Sequence, residues 1–168
     1  MRTKSAVVAS VIMGFLGGVL FTGIAINQSA GRMMLKEMKS PYDHRKTVDT
    51  IVGRVQAAPG WHTVKVYDMN KEVLENGGAA IGKYALIQYC SGGYASRMLA
   101  SDDRKRIGAM MPKTFAVYEK SDGQVYVTSA NGAVMGKLFG GETESIIEEV
   151  SLEVEGMLRF MNFKFSLF

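Results

Sequence analysis

The sequence predicts an α+β layer sandwich preceded by one N-terminal transmembrane helix. Helical and strand-like periodicities alternate irregularly along the chain, and a β-hairpin pattern stands among them, which together favour the α+β class. An uncharged run of 21 residues, Ala6 to Ile26, predicts the transmembrane helix. At about 1.5 Å rise per residue it covers the roughly 30 Å hydrocarbon core of a bilayer. We therefore expect an anchor over residues 1–28, a folded domain over 29–156 and a C-terminal extension over 157–168.

The residues around the uncharged run favour a retained anchor whose N-terminus lies inside the cell. Arg2 and Lys4 precede the run, and a short basic N-terminus before a first helix follows the positive-inside tendency. A cleaved signal peptide is the alternative, but its apolar stretch is usually about 7–15 residues long and ends in small residues. Residues 23–25 offer the one passable cleavage triplet, inside the apolar stretch. We expect a single-pass membrane protein with residues 6–26 in the lipid bilayer and an exported domain.

Small residues recur at every fourth position along this segment, and they are Ala6, Ser10, Gly14, Gly18 and Thr22. Such a stripe lets two helix backbones approach closely in lipid, and Gly14 with Gly18 matches the GxxxG pattern. Glycine is also common in membrane helices generally, which is the alternative explanation. The stripe predicts packing on a second copy or on another membrane subunit.

Composition limits what the rest of the chain can be. The chain has 20 Lys and Arg against 16 Asp and Glu, and without Arg2 and Lys4 the basic count is 18, so the exported part is nearly neutral. It has no basic stripe with interleaved aromatic residues, and we predict no nucleic-acid partner. Cys90 is the sole cysteine, which excludes an internal disulfide, a cysteine-built zinc cluster and a CxxCH haem site. We expect no cofactor.

Periodicity and turn residues define the elements of the domain. In chain order they are a strand at 32–39, a helix at 43–58, a strand at 61–67, a short helix after Asp68, a strand at 84–90, a helix at 94–101, hairpin strands at 114–120 and 124–130, a glycine-punctuated stretch at 131–141, and a last helix. Asp122-Gly123 marks the hairpin turn. Ser145 and Glu148 match a capping box, which predicts the start of the last helix.

Three short runs resemble the signature of the "domain of unknown function 302" family. They are Tyr89-Cys90-Ser91-Gly92-Gly93-Tyr94-Ala95, Met110-Met111-Pro112, and Val117-Tyr118-Glu119-Lys120 followed by Asp122-Gly123. The resemblance covers roughly residues 33–155. It implies helices packed on one face of an antiparallel sheet, a homo-oligomer and no particular activity. Since the family occurs in bacteria and archaea, we expect a cytoplasmic membrane protein with its domain in the periplasm or outside the cell.

The chain departs from this family at two positions. Cys90 is followed by Ser91-Gly92 where the family commonly has Asn-Pro, and Lys113 stands where a second cysteine often follows the Met-Met-Pro run. A dithiol mechanism is therefore not expected.

Cys90, Tyr94, Met110 and Met111 are the candidate ligand-binding residues. Cys90 ends a strand and precedes a helix, where the helix dipole favours a reactive thiolate; the alternative is a small buried residue. Soft sulfur ligands suit monovalent copper, although methionine more often fills irregular core gaps. We predict no catalytic residues and leave the metal open, and we lean against an enzyme.

The C-terminal residues form a second apolar feature. Phe163 and Phe165 alternate with polar residues, and Phe160 and Phe168 flank them. An apolar terminus exposed to water is costly, so it packs on its own domain or contacts a partner or the membrane. We assign these four residues to partner contact.

These observations support three functions. The preferred one is a membrane-anchored extracytoplasmic domain that acts as an accessory or docking subunit of a membrane assembly, or as a homodimer. The alternative is a small-ligand or soft-metal binding domain that uses Cys90 and Met110-Met111. A thiol-dependent enzyme is the weakest.

Overall fold

The computed structural model describes residues 2–161, apart from the side chains at 2–6, 8–9 and 27–29. Contacts divide the chain into two units, Met1–Met34 and Leu35–Phe168.

The N-terminal unit is a single helix, α1 (Arg2–Met34). Its large apolar side chains are exposed, and Phe15 and Phe21 show 70 % and 75 % of their surface. Across the residues that the structure describes, no helix combines the length and the apolar character needed to span a membrane. The strand predicted at 32–39 begins only at Leu35, because Met33 and Met34 continue the helix.

The second unit alternates helices with five strands. Its elements are β1 (Leu35–Lys39), α2 (His44–Ala57), β2 (Trp61–Asp68), α3 (Met69–Glu75), β3 (Tyr84–Ser91), α4 (Gly92–Leu99), α5 (Asp102–Lys105), a 3-10 helix (Arg106–Met110), β4 (Lys113–Glu119), β5 (Val125–Ala130), α6 (Gly132–Phe139), α7 (Gly141–Met157) and a second 3-10 helix (Arg159–Met161). Asp43 and Asp68 cap α2 and α3 by accepting hydrogen bonds from backbone N–H groups, as short polar residues do before a helix.

The five strands form one sheet in the order β1-β5-β4-β3-β2, and every neighbouring pair is antiparallel. The prediction of an α+β fold is thus confirmed. The predicted hairpin is β4–β5, in which Tyr118 lies opposite Tyr126. β1 pairs with β5, so the first and the last strand of the domain are neighbours, and β1 forms one edge of the sheet.

Alternate residues of the central strands point into one hydrophobic core. Ile87, Phe115 and Val127 are fully buried there, together with Ile51 of α2 and Ile146 of α7. The other face of the same strands leaves its side chains half-buried, and three stacked tyrosines lie along it: Tyr84, Tyr118 and Tyr126. The sheet is therefore amphipathic, as strand alternation requires.

The C-terminal helices add one element to the sequence prediction and correct another. The glycine-punctuated stretch 131–141, to which no element was assigned from sequence, is largely helical, and Gly132 and Gly136 are buried where α6 packs closely on α7. α7 begins at Gly141, where Gly140 with φ +68° turns the chain, so the capping box predicted at Ser145 does not form. Ser145 instead lies inside the helix and donates a hydrogen bond to the Gly141 carbonyl at 3.4 Å.

Candidate ligand pocket

A cavity of about 590 Å³ opens around one end of the sheet and continues along its half-buried face, where Tyr84, Ala116, Tyr118 and Thr128 line it. At this end β3 and β5 finish and β1 and β4 begin, as antiparallel neighbours must. α4 follows β3 directly, α6 follows β5, and the first 3-10 helix precedes β4, so these elements surround the strand ends. Its volume is in the range of small-molecule binding sites, which run from about 300 to 1,000 Å³.

The cavity wall is mainly apolar and comes from several elements. Met98 and Ala95 of α4, Ile107 of the 3-10 helix, and Ile147 and Val150 of α7 contribute to it. Methionines are prominent among the other lining residues, and Met110, Met111 and Met135 belong to this group. Because methionine is flexible and polarizable, such a wall adapts to ligands of different shape.

The structure brings together all four ligand-binding candidates taken from the sequence. Cys90, Tyr94, Met110 and Met111 line the same cavity although they lie in different elements. Cys90 is half-buried, and its Sγ lies 3.9 Å from the Ser91 carbonyl oxygen. Whether these residues hold a ligand stays a prediction.

Tyr94 is held in the wall by a carboxylate of α7. Its hydroxyl donates to Glu153 Oε1 at 2.6 Å, and the indole N–H of Trp61 donates to the other oxygen of Glu153. The hydrogen bond to Glu153 raises the pKa of Tyr94 to about 12, with smaller contributions from burial and from the negative charges nearby. Beside it, Arg97 makes two hydrogen bonds to Glu149, at 2.6 and 3.0 Å. α4 is thus fastened to α7 along the rim of the cavity.

Lys113 is a polar residue of the cavity. In the sequence it occupies a position where the family often has a second cysteine. It is the first residue of β4 and lines the cavity. Burial lowers the pKa of its amine. Within residues 2–161 its ammonium makes no hydrogen bond and no ion pair.

Tyr89 lies directly opposite Lys113 in the β3–β4 register. Its ring is fully buried and stacks on Phe115 with 4.3 Å between ring centroids. Its hydroxyl finds no hydrogen-bond partner in the described part of the chain, and burial raises its pKa. Buried polar groups are usually hydrogen-bonded, so a fully buried tyrosine hydroxyl without a partner is unusual.

A carboxylate also lies near Lys113. Lys113 and Glu155 both line another, small cavity of about 10 Å³. Glu155 Oε1 accepts a hydrogen bond from Lys36 at 2.8 Å, and its Oε2 is buried without a partner among the described residues. Within those residues no hydrogen bond or ion pair joins Glu155 to Lys113.

Among the residues that the structure describes, no group of three or more His, Cys, Asp or Glu side chains is placed to hold a metal ion. Cys90 shares the cavity wall with four methionines, Met98, Met110, Met111 and Met135, which are soft sulfur ligands.

The other predicted site residues lie elsewhere. Ser10, Gly14, Gly18 and Thr22 belong to α1, and a Cβ placed on either glycine would meet nothing within 4 Å. The side chain of Ala6 is outside the described set.

Of the four phenylalanines assigned to partner contact, Phe160 packs within its own domain. It stacks on Tyr42 with 5.7 Å between ring centroids, and Arg54 lies over its ring at 5.2 Å. Phe163, Phe165 and Phe168 lie outside the described residues.

The fold and the cavity define a small α+β domain with a largely apolar pocket at one end of an antiparallel sheet. The chain belongs to the family described as "Domain of unknown function DUF302", whose profile matches residues 36–161. The resemblance seen in the sequence is thereby confirmed at the family level.

Comparison with solved structures supports the same fold. The chain is similar to an uncharacterized conserved DUF302 protein from Bacillus stearothermophilus, with a TM-score of 0.67 and 13% identity. The match covers 77% of this chain and 98% of the other. At this identity the likeness shows the fold alone. No curated protein matches the chain.

Proposed function

We propose that the domain binds a small, largely apolar ligand in the cavity at the end of its sheet. The observation that carries this proposal is the cavity itself, about 590 Å³ lined mainly by Met, Ile, Val and aromatic side chains. Protein interiors are close-packed and contain few voids larger than a water molecule. A small domain that keeps an apolar space of this size beside a well-packed core therefore has room for a ligand.

The rim supports the same proposal. The hydrogen bonds of Tyr94 and Trp61 to Glu153 hold one wall in place, while the methionines of the opposite segment can adjust their side chains. A fixed wall combined with an adaptable one suits the binding of an apolar molecule more than it suits a catalytic centre, which needs groups held in a fixed geometry.

The proposal is tested by filling the cavity. Ala95→Phe places a ring in the cavity wall, whereas Ala100→Phe adds the same ring at an exposed position just after α4. Wild-type protein and A100F should bind 1-dodecanol, measured by titration calorimetry in mild detergent, and A95F should bind it at least about tenfold more weakly. Equal binding by all three proteins, or no binding by any, would exclude the cavity as the ligand site.

Soft-metal binding is a second candidate. It rests on the shared position of Cys90, Met110 and Met111 in the cavity wall, since thiolate and thioether sulfur favour monovalent copper. Titration with Cu(I) against a competing chelator should then show one site that Cys90→Ser removes. A Cys90→Ser variant with unchanged copper affinity would reject this candidate.

We also propose that α1 places the domain at a lipid bilayer, where it serves as an accessory or docking subunit. Its exposed apolar side chains support this proposal, because large apolar surfaces in water are costly. The open space beside Gly14 and Gly18 supports close approach of a second helix.

The membrane proposal requires the full chain to stay in the membrane fraction after a salt wash. After mild solubilisation it should run as an oligomer or with another subunit, and Gly14→Leu with Gly18→Leu should dissociate that assembly. Full-length protein in the salt-washed soluble fraction would reject the membrane placement. Monomers before substitution would reject the docking role.

A further inference from the structure

We infer that the ligand of this cavity carries a carboxylate headgroup, which the ammonium of Lys113 binds. The inference rests on the proposed function, that the cavity binds a ligand, and it names the chemical class: an amphipathic organic acid with an apolar chain or ring.

The first argument is placement. Lys113 and Tyr89 are direct partners in an antiparallel pair, so their side chains leave the sheet on the same face, with Cβ atoms about 4.5–5.5 Å apart. Both residues line the large cavity. Lys113 therefore adds a cationic side chain, beside the buried Tyr89, to a wall that is otherwise mainly apolar.

The second argument is the cost of leaving the ammonium unpaired. A half-buried ammonium without a counter-ion loses part of the hydration it would have in water. Within the described residues Lys113 does not recover that loss by a hydrogen bond or an ion pair. A ligand carboxylate can only accept hydrogen bonds, and it would supply the missing acceptor. Its single negative charge also matches the single positive charge of Lys113.

The competing arrangement is internal. Glu155 also lies near Lys113, across the small cavity, and one of its oxygens has no hydrogen-bond partner. Its other oxygen, however, is engaged with Lys36 at 2.8 Å. If Lys113 served only to neutralise Glu155, its effect on ligand binding would disappear when that carboxylate is removed, and this difference can be measured.

The test compares two probes of equal chain length, dodecanoate and 1-dodecanol, on the full chain in mild detergent. Wild-type protein should bind dodecanoate about 10- to 100-fold more tightly than dodecanol, as expected for a charge-assisted hydrogen bond of about 1.5–3 kcal/mol. Lys113→Met should abolish this preference while dodecanol still binds, which shows that the variant is folded. Lys113→Arg should keep most of the preference.

The outcomes separate the inference from the function on which it rests. Equal affinity of wild-type protein for acid and alcohol, or a preference that survives Lys113→Met, overturns the carboxylate inference and leaves the apolar pocket intact. A preference that Lys113→Met leaves unchanged in a Glu155→Gln background also overturns it, in favour of the internal pair. Failure of both probes to bind overturns the proposed function itself.

Discussion

Glu153 is the residue on which the wall of the cavity depends most directly. Its two carboxylate oxygens accept hydrogen bonds from Trp61 and Tyr94, which come from β2 and α4. The rings of Trp61 and Tyr94 are also packed against each other, with centroids 5.8 Å apart. One exposed side chain of α7 therefore fixes two aromatic residues from separate parts of the chain.

Replacing Glu153 by alanine should lower the free energy of unfolding by about 1–2 kcal/mol, because two donors lose an ionised acceptor. Glu148→Ala is the matched control, since Glu148 is an exposed glutamate of the same helix, and its effect should stay within about 0.5 kcal/mol. Urea unfolding followed by tryptophan fluorescence measures both changes. Equal effects of the two substitutions would show that the Glu153 contacts do not stabilise the fold.

The same contact predicts a dependence of stability on alkaline pH. The folded-state pKa of Tyr94, about 12, lies above its ordinary value of 10.0, so the native protein holds this proton more tightly than the unfolded chain. The stabilisation is therefore complete below about pH 10 and is lost as the pH rises through about 12. Between these values wild-type stability should fall more steeply than that of Tyr94→Phe. Parallel curves in denaturant titrations would contradict the assignment.

The packing of α6 on α7 shows how elements that look like loops in sequence become helices in the fold. Gly132 and Gly136 are buried in that contact, and a Cβ on Gly132 would lie 1.8 Å from Ser151 Oγ. Glycine in a short segment reads as a turn because it weakens isolated helices by about 1 kcal/mol. Here the contact with α7 stabilises α6 as a helix, and that contact forms only in the tertiary structure.

Gly132→Ala should therefore destabilise the domain by about 1–3 kcal/mol through overpacking. Gly156→Ala is the opposite case within α7, because its added methyl group meets nothing within 4 Å, and it should be neutral or stabilising by up to about 1 kcal/mol. Thermal unfolding of both variants checks the prediction. The double variant Gly132→Ala, Ser151→Ala, which removes the clashing Oγ and keeps a good helix former, should recover much of the loss, and no recovery would place the cause elsewhere.

Elements with local signals were predictable, and those set by distant contacts were not. α2, α3 and the β4–β5 hairpin follow from a capping aspartate, apolar periodicity and a turn dipeptide. The start of α7 was missed because Gly140, with positive φ, turns the chain before the Ser145 pattern is reached.

At the scale of the whole molecule, the sheet order creates the candidate site. Pairing of β1 with β5 and of β3 with β4 collects strand ends that are far apart in the chain, and α4, α6 and α7 enclose them. Cys90, Tyr94, Met110 and Met111 could be found from sequence because they belong to short recognisable runs. The role proposed for Lys113 could not, since its position in an apolar cavity wall without an ion-pair partner depends on tertiary structure.

The methyl groups of methionine offer the most direct test that this cavity is the binding site. The chain has 12 methionines, and Met98, Met110, Met111 and Met135 line the cavity, whereas Met38, Met69, Met157 and Met161 do not. With methyl-labelled methionine and assigned spectra, adding 1-dodecanol should shift the four cavity signals and leave the other four almost unchanged. Shifts confined to methionines outside the cavity, or no shifts at all, would contradict the central claim.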